Sequence, residues 1–171
     1  MKNIIKKILR EQFQSPDYLV KVSRRLEPPY FYNMKEQFGI TERKDQLEVM
    51  KYIYGDGITM GLYRTLWDSE GNNIYSENVI GDWEKSEYDS NGNVIYYESS
   101  KGEWGKWEYD SMDNIIYSEN GDGYWIKKEY DSDGNEIYYE NSDGYWIKNE
   151  YDSDGNEIYY ENSDGVIYSN R

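Results

Sequence analysis

The chain has 171 residues, a length that corresponds to one domain or to one domain with a small appendage. It contains 21 Tyr and 6 Trp, but neither Cys nor His. The missing residue types exclude disulfides, thiolate metal sites and histidine as a general base or a metal ligand.

Charge divides the chain into two parts. Residues 1–66 contain 12 basic and 8 acidic side chains, whereas residues 67–171 contain 7 basic and 26 acidic ones, which gives net charges of +4 and −19. Such an asymmetry marks a domain boundary. We therefore predict a helical N-terminal cap with a lead-in strand over residues 1–66, and a second domain over residues 67–171.

The N-terminal part contains three short predicted helices. The first is the segment NIIKKILREQF, whose apolar residues follow helical spacing. The other two are SPDYLVKVSRRLEPP, which begins with Ser15 as its N-cap residue, and TERKDQLEVMKYIYG, which ends at Gly55. A further turn is predicted around residues 32–38. The segment GITMGLYRTL is predicted to be a strand that covers the first edge of the following sheet.

The second part consists of five consecutive 21-residue rows, which begin at Trp67, Tyr88, Tyr109, Tyr130 and Tyr151. The rows share an aspartate at the second position, an Ile-Tyr pair and a glutamate, and four of them then read Trp-x-Lys-x-Glu. The fifteen residues YDSDGNEIYYENSDG occur twice without a change. A fixed period of this kind is the sequence signature of a repeat architecture.

Each row contains two strand signals, of the types NEIYYEN and YWIKNEY, which are separated by the turn signals NSDG and DSDG. One row is therefore one β-hairpin, and five rows form about ten strands. A parallel solenoid would stack the equivalent glutamates of successive rows about 4.8 Å apart, which is repulsive. The predicted fold is mainly β with a small α-helical N-terminal part, in which five tandem 21-residue β-hairpin repeats form a single-layer twisted antiparallel sheet (meander).

The odd period restricts the geometry of the rows. Side chains of a strand alternate between two faces, so a shift of 21 residues would place equivalent side chains on opposite faces. The copies are equivalent only if one connection of the row is even and the other odd, or if every row carries a β-bulge. The pattern leaves both solutions open, and with them whether Trp125 shares a face with Ile116 or with Tyr117.

Two aromatic columns form the candidate interaction surface. They consist of Tyr75, Tyr96, Tyr117, Tyr138 and Tyr159, and of Trp83, Trp104, Trp125 and Trp146. Such rings can stack on sugars or bases, but the simpler interpretation is that they pack against their neighbours in the sheet. The repeats are unsuited to direct nucleic-acid binding, because their negative charge repels phosphate.

The acidic loops raise the question of calcium binding. In DSDGNEIYYE the glycine is fourth and the last glutamate tenth, whereas an EF-hand needs glycine sixth and glutamate twelfth. Met112 occupies one of the equivalent loop positions, which suits a turn and not a ligand cage. Equivalent rows also supply equivalent environments, whereas acid–base catalysis needs carboxyl groups with divergent pKa values. We therefore predict no metal site, no cofactor and no catalytic residue, and a protein that is not an enzyme.

The stretch YDSDGNEIYYENSDGYWIKNEYDSDGN resembles the YD-repeat (Rhs-type) family, and the resemblance extends over residues 67–171. The first row departs from the family pattern at Trp67, and the third has Asp113 in place of glycine. The resemblance implies an array of β-hairpins, which in that family forms shells around toxin cargo or belongs to surface and adhesive proteins. Five rows are too few to enclose cargo, and Asn replaces the Arg that often follows the glycine. The opening segment MKNIIKKILREQF resembles small phage-encoded proteins.

These observations predict a non-catalytic repeat protein that acts as a structural or protein-interaction module, through a protein partner or through self-association. One alternative is an acidic mimic of nucleic acid that inhibits a host DNA- or RNA-binding enzyme. Another is a carbohydrate-binding module that uses exposed aromatic rings. No signal peptide or membrane-spanning run is predicted, so no membrane partner is expected and a cytoplasmic or virion-associated location is the default expectation.

Overall fold

The computed structural model describes residues 21–170. Contacts divide the chain into two compact units. Of the described residues, the first comprises 21–85 together with 99–101, and the second comprises 86–98 together with 102–170. The first predicted helix lies outside the described residues, and of the second only residues 21–23 are described as helical.

Two complete helices lie in the first unit, α1 (Tyr30–Phe38) and α2 (Arg43–Tyr54). Helix α1 ends because Gly39 adopts a left-handed conformation with a φ of 68°, so that its amide and the next one bond back to carbonyls of the last turn. Helix α2 confirms the helix predicted from TERKDQLEVMKYIYG. Helix α1 is longer than the turn predicted around residues 32–38, and it begins directly after Pro29.

The hydrophobic core lies in the first unit. The buried apolar side chains among the described residues all belong to it: Val22, Leu26, Phe31, Met34, Ile40, Val49, Met50, Ile58, Leu66 and Tyr75. Each helix contributes the apolar face of an amphipathic pattern, Phe31 and Met34 from α1 and Val49 and Met50 from α2.

Twelve antiparallel strands follow one another in chain order in one sheet. The predicted lead-in strand is in fact two short strands, β1 (Thr59–Met60) and β2 (Thr65–Trp67), because a 3-10 turn over Leu62–Arg64 separates them. The rows supply the other ten: β3 Asn73–Glu77, β4 Trp83–Tyr88, β5 Val94–Ser99, β6 Trp104–Tyr109, β7 Ile115–Asn120, β8 Trp125–Tyr130, β9 Glu136–Asn141, β10 Trp146–Tyr151, β11 Glu157–Asn162 and β12 Ile167–Ser169. This sequential antiparallel order confirms the predicted meander and excludes a parallel solenoid.

The second unit is a sheet without a conventional core. None of its described apolar side chains is fully buried, and most of its rings and aliphatic chains are half-buried. Cross-strand neighbours therefore take the place of a second layer, at about 0.2–1 kcal/mol for each pair.

Both connections of a row use the same five-residue turn. The first residue accepts, through its side-chain oxygen, the amides of the residues two and four positions further on, at 2.9 Å in the turn that begins at Asp131 and at 3.0 and 3.1 Å in the turn that begins at Asn141. The fourth residue has a positive φ, which is 85° at Gly134 and 80° at Gly144, and Asp113 of the third row adopts the same conformation at 63°. The acidic loops are thus organised by their own amides, as the turn interpretation predicts.

A β-bulge in the first strand of the row solves the parity problem. Where β8 pairs with β9, Glu129 is opposite Tyr138 and Tyr130 is opposite Glu136, so Ile137 between them has no partner. The register shifts in the same way at the equivalent residues Ile74, Ile116 and Ile158. The repeated isoleucine is the bulged residue, and the extra residue keeps equivalent side chains of successive rows on one face.

We expect the double substitution Asp131→Asn and Asp152→Asn to lower stability modestly at neutral pH and to reduce its loss in acid. Asparagine already begins the other turn of the row, so the turn amides keep an acceptor, but the bond from the side chain of Asn135 to the second carboxylate oxygen is lost. The pKa of Asp131 lies below its ordinary value of 3.8, first because the side-chain amide of Asn135 donates to the carboxylate and then because its backbone amide does. The pKa of Asp152 is lowered in the same way by Asn156.

The sign of this effect follows from linkage. A group whose pKa is lowered in the folded state stabilises it fully above the unfolded pKa, near 3.8, and this contribution is lost as the pH falls through the folded pKa. Urea denaturation at pH 7, 5 and 2, with wild type and variant side by side, measures the difference. A variant that loses as much stability as wild type between pH 5 and pH 2 would contradict the prediction.

Candidate functional site

The strand register decides which aromatic residues share a face. In the pairing of β7 with β8, Tyr117 is opposite Lys127 and Glu119 is opposite Trp125. Directly opposite residues project to the same side, so Trp125 shares a face with Tyr117 and not with Ile116. In the second unit this side, here named the tyrosine–tryptophan face, carries Tyr96, Trp104, Tyr117, Trp125, Tyr138, Trp146 and Tyr159.

Each tyrosine of this face is held by a glutamate of its own strand. The phenol donates to the carboxylate two residues further on, in the pairs Tyr96–Glu98, Tyr117–Glu119, Tyr138–Glu140 and Tyr159–Glu161, at 2.9–3.4 Å. Burial, and after it the hydrogen bond to Glu140, raises the pKa of Tyr138. A phenol has an ordinary pKa of about 10, so it is protonated at neutral pH and acts as the donor of this bond.

Lysines fill the spaces between the rings. The ammonium of Lys148 lies 5.0 Å from the centre of the Trp146 ring, and that of Lys127 lies 5.7 Å from the Tyr138 ring. Lys127 also forms an ion pair of 3.1 Å with Glu129. The face is thus a regular alternation of half-buried rings and opposite charges, whose side chains are fixed by one another.

The two predicted surface residues of the first unit have a different environment. Tyr75 is only 1% exposed, because the rings of Tyr30 and Phe31 lie 4.9 and 6.2 Å from its ring. Trp83 is stacked on Tyr75 at 6.4 Å and packs against the core. Tyr75 is therefore a core residue and not part of an accessible surface, which corrects the sequence-based assignment.

Two equivalent clefts lie in the second unit. The first has a volume of 470 Å³ and is lined by residues that include Glu108, Asp110, Tyr117, Lys127 and Glu129. The second has a volume of 570 Å³ and is lined by the residues 21 positions further on, together with Tyr159. The bulged isoleucine lines each cleft, and Glu129 belongs to both. The repeat in sequence is therefore also a repeat of a surface concavity.

The chain matches no family model and no curated protein. Two matching solved structures are the Tc holotoxin pore of Photorhabdus luminescens, in a form mutated in TccC3, and the complex TcdB2-TccC3-Cdc42. Identity is 16% with a TM-score of 0.45 for the first, and 15% with a TM-score of 0.41 for the second. The matches cover 65% and 64% of this chain but only 7% and 6% of those chains.

A likeness of this extent carries no argument about function, because the chain spans less than a tenth of the proteins that it matches. Membership of the YD-repeat family stays a prediction. The repeat itself rests on the internal copies of the sequence and on the pairing of the strands.

Over residues 21–170, no cluster of acidic side chains has the grouping of a metal site, and no helix is long and apolar enough to cross a bilayer.

Sequence reasoning missed two features of the first unit. Glu77 is buried and binds the start of α1, although its row position is the one that other rows fill with a half-buried glutamate. Val79 and Ile80, 82% and 77% exposed, form an apolar turn tip where the fourth row has Ser142 and Asp143. The sequence gives no signal for the burial of Glu77. The apolar turn tip, in contrast, is visible as a departure from the residues of the other rows.

Proposed function

We propose that this chain is a non-catalytic repeat protein that binds another protein through the tyrosine–tryptophan face of its second unit. The observation that carries the proposal is the register, which collects seven rings of two sequence columns on one face, beside two equivalent clefts. Tyrosine and tryptophan are enriched at protein interfaces, because they offer a large contact area for few rotatable bonds.

The packing of the rings supports a binding role. Their phenols are held by glutamates and their spaces are filled by lysines, so little side-chain entropy remains to be lost on binding. The same features support a non-catalytic protein. Equivalent rows place equivalent carboxylates in equivalent surroundings, whereas an active site needs one asymmetric arrangement.

The lysines weigh against an acidic mimic of nucleic acid. Lys106, Lys127 and Lys148 stand on the same face as the glutamates, where they interrupt any continuous track of negative charge. A protein partner can use both signs of charge, and so can a second copy of the chain.

Adjacent tyrosines on opposite faces provide a matched test. We expect substitution of Tyr96, Tyr138 and Tyr159 by serine to abolish partner binding or self-association, because these rings belong to the tyrosine–tryptophan face. Substitution of Tyr97, Tyr139 and Tyr160 by serine should leave it intact, because these neighbours face the other way. Affinity capture from host lysate and light scattering over a concentration series measure the two modes.

Circular dichroism first confirms that both triple variants fold. Binding that depends on one face only supports the proposal. Equal losses in the two variants, or a monomer that captures nothing in any form, would contradict it.

A further inference from the structure

The spacing of the two clefts restricts what can occupy both of them. Equivalent residues of the clefts lie two strands apart, and neighbouring strands are separated by about 4.7–4.9 Å, so the clefts repeat at roughly 9.5 Å across the sheet. A ligand that crosses the strands must present the same chemical group at this interval and in the same direction.

Among regular backbone conformations, polyproline II meets this requirement. It has three residues per turn and a rise of about 3.1 Å, so every third side chain projects in the same direction at roughly 9.3 Å. In an extended strand, three residues cover roughly 10 Å, but every third side chain projects to the opposite side. An α-helix advances about 5.4 Å per turn, which does not divide the interval.

The lining of the clefts selects a cation. The first cleft has the carboxylates of Glu108, Asp110 and Glu129, and the second has those of Glu129, Asp131 and Glu150. The two aspartates also accept the amides of their own turns, and Glu129 is paired with Lys127, so the glutamates supply the accessible acceptors. The three carboxylates of each cleft outnumber its lysines, of which the first cleft has two and the second has one. Both linings therefore carry a net negative charge. An aromatic wall, Tyr117 or Tyr138, completes each cleft. Carboxylates beside a ring suit a guanidinium, which binds carboxylates with two parallel hydrogen bonds and stacks on aromatic faces.

We infer that the partner's contacting segment is a polyproline II stretch with an arginine at every third residue, seated with one arginine in each cleft. This inference rests on the proposed function, since it names the ligand of the same face. The net charge of −19 on the repeats attracts such a basic segment at long range. Sheet twist turns successive clefts by about 40–50°, a rotation that the long arginine side chain accommodates over two sites.

Synthetic peptides test the inference on the full chain. One peptide has four Pro-Pro-Arg triplets, and a second has the same composition with its arginines at every second residue, so that no two of them are three residues apart. A third has Glu in place of Arg. Titration calorimetry at two salt concentrations measures binding. We expect the triplet peptide to bind at least about tenfold more tightly than the peptide with arginine at every second residue, since only the triplet peptide can place charge-assisted hydrogen bonds in both clefts. Equal affinity of these two peptides, or no binding, would overturn the inference.

A charge-matched pair of variants distinguishes binding of arginine in the clefts from long-range attraction by the net charge of the repeats. Glu129→Gln removes a carboxylate shared by both clefts, whereas Asp154→Asn removes one from an exposed turn outside them. We expect the first to weaken binding of the triplet peptide about tenfold and the second to change it less than about twofold. Equal effects would show attraction by net charge alone and overturn the inference.

The two proposals fail separately. If the serine variants show binding that depends on one face while the peptides do not bind, the polyproline II ligand is wrong and the protein-binding face remains. If neither experiment shows binding to that face, both proposals are wrong.

Discussion

Glu77→Ala is expected to lower the free energy of unfolding of the first unit by about 3–5 kcal/mol, the range for removing one partner of a buried ionic network. The carboxylate is buried and accepts the amides of Phe31 and Tyr32, each at 2.8 Å, at the start of α1. It also accepts the phenol of Tyr75 at 2.8 Å and lies 3.4 Å from the guanidinium of Arg64. The substitution leaves the amide of Phe31 and the phenol of Tyr75 buried without this acceptor, and it removes a negative charge from the positive end of the helix dipole.

Glu140→Ala is the matched control, because Glu140 has the same row position in the fourth row. Its carboxylate is half-buried and accepts the phenol of Tyr138 at 3.1 Å, so a loss below about 1 kcal/mol is expected. Chemical denaturation followed by circular dichroism measures both variants, and hydrogen exchange at the α1 amides provides a local reading. Equal losses at the two positions would show that Glu77 has no special role in holding α1.

Gly105→Ile is expected to destabilise the second unit by about 1–3 kcal/mol, the usual cost of overpacking. The ring of Trp107 covers Gly105, and a Cβ at that position would lie 2.5 Å from the outer edge of the ring. No other row has such a pair, and the third and fourth rows have Ile126 and Ile147 in place of the glycine. The tryptophan ring thus occupies the space that an isoleucine side chain fills in those two rows.

A second substitution tests that explanation. The variant Gly105→Ile with Trp107→Asn reproduces the pair of the fourth row. The cross-strand partners of the first position match, because Gly105 pairs with Tyr97 and Asn120 while Ile147 pairs with Tyr139 and Asn162. At the second position they differ, because Trp107 is opposite Ser118 and Asn149 is opposite Tyr160. We expect this double variant to recover most of the lost stability, as measured by the urea midpoint. A double variant less stable than Gly105→Ile alone would show that the ring does not merely replace a side chain.

The fold class could be predicted because the row repeats its own chemistry. Alternating aromatic and β-branched residues between glycine turns specify hairpins, and a column of like charges excludes stacking of coils in a parallel solenoid. The odd period of 21 residues required either a β-bulge or two connections of unequal length in every row. The two turns have nearly the same sequence, so the sequence could not decide between these solutions. The answer lies in Ile137 and its equivalents, whose side chains resemble those of any other strand residue.

The repeated aromatic positions of the candidate site could be predicted from the sequence, but the face of the sheet on which they lie could not. Spacing identified the nine aromatic residues, yet which column shares a face with which depends on the register. Burial depends on still more distant contacts. Tyr75 and Tyr138 have the same row position, but α1 covers the first and leaves the second half-buried.

By itself the sequence determined the period, the two strands and two turns of each row, and the charge difference between the two parts of the chain. These properties are local, since they depend on residues that are neighbours along the chain. Tertiary structure alone decided that a bulge restores parity and that tyrosines and tryptophans share one face. It also decided that Glu77 binds the start of a helix, whereas its equivalents in the other rows bind a phenol of the sheet. Each of these depends on residues brought together from distant positions, and identical row positions cannot encode different neighbours.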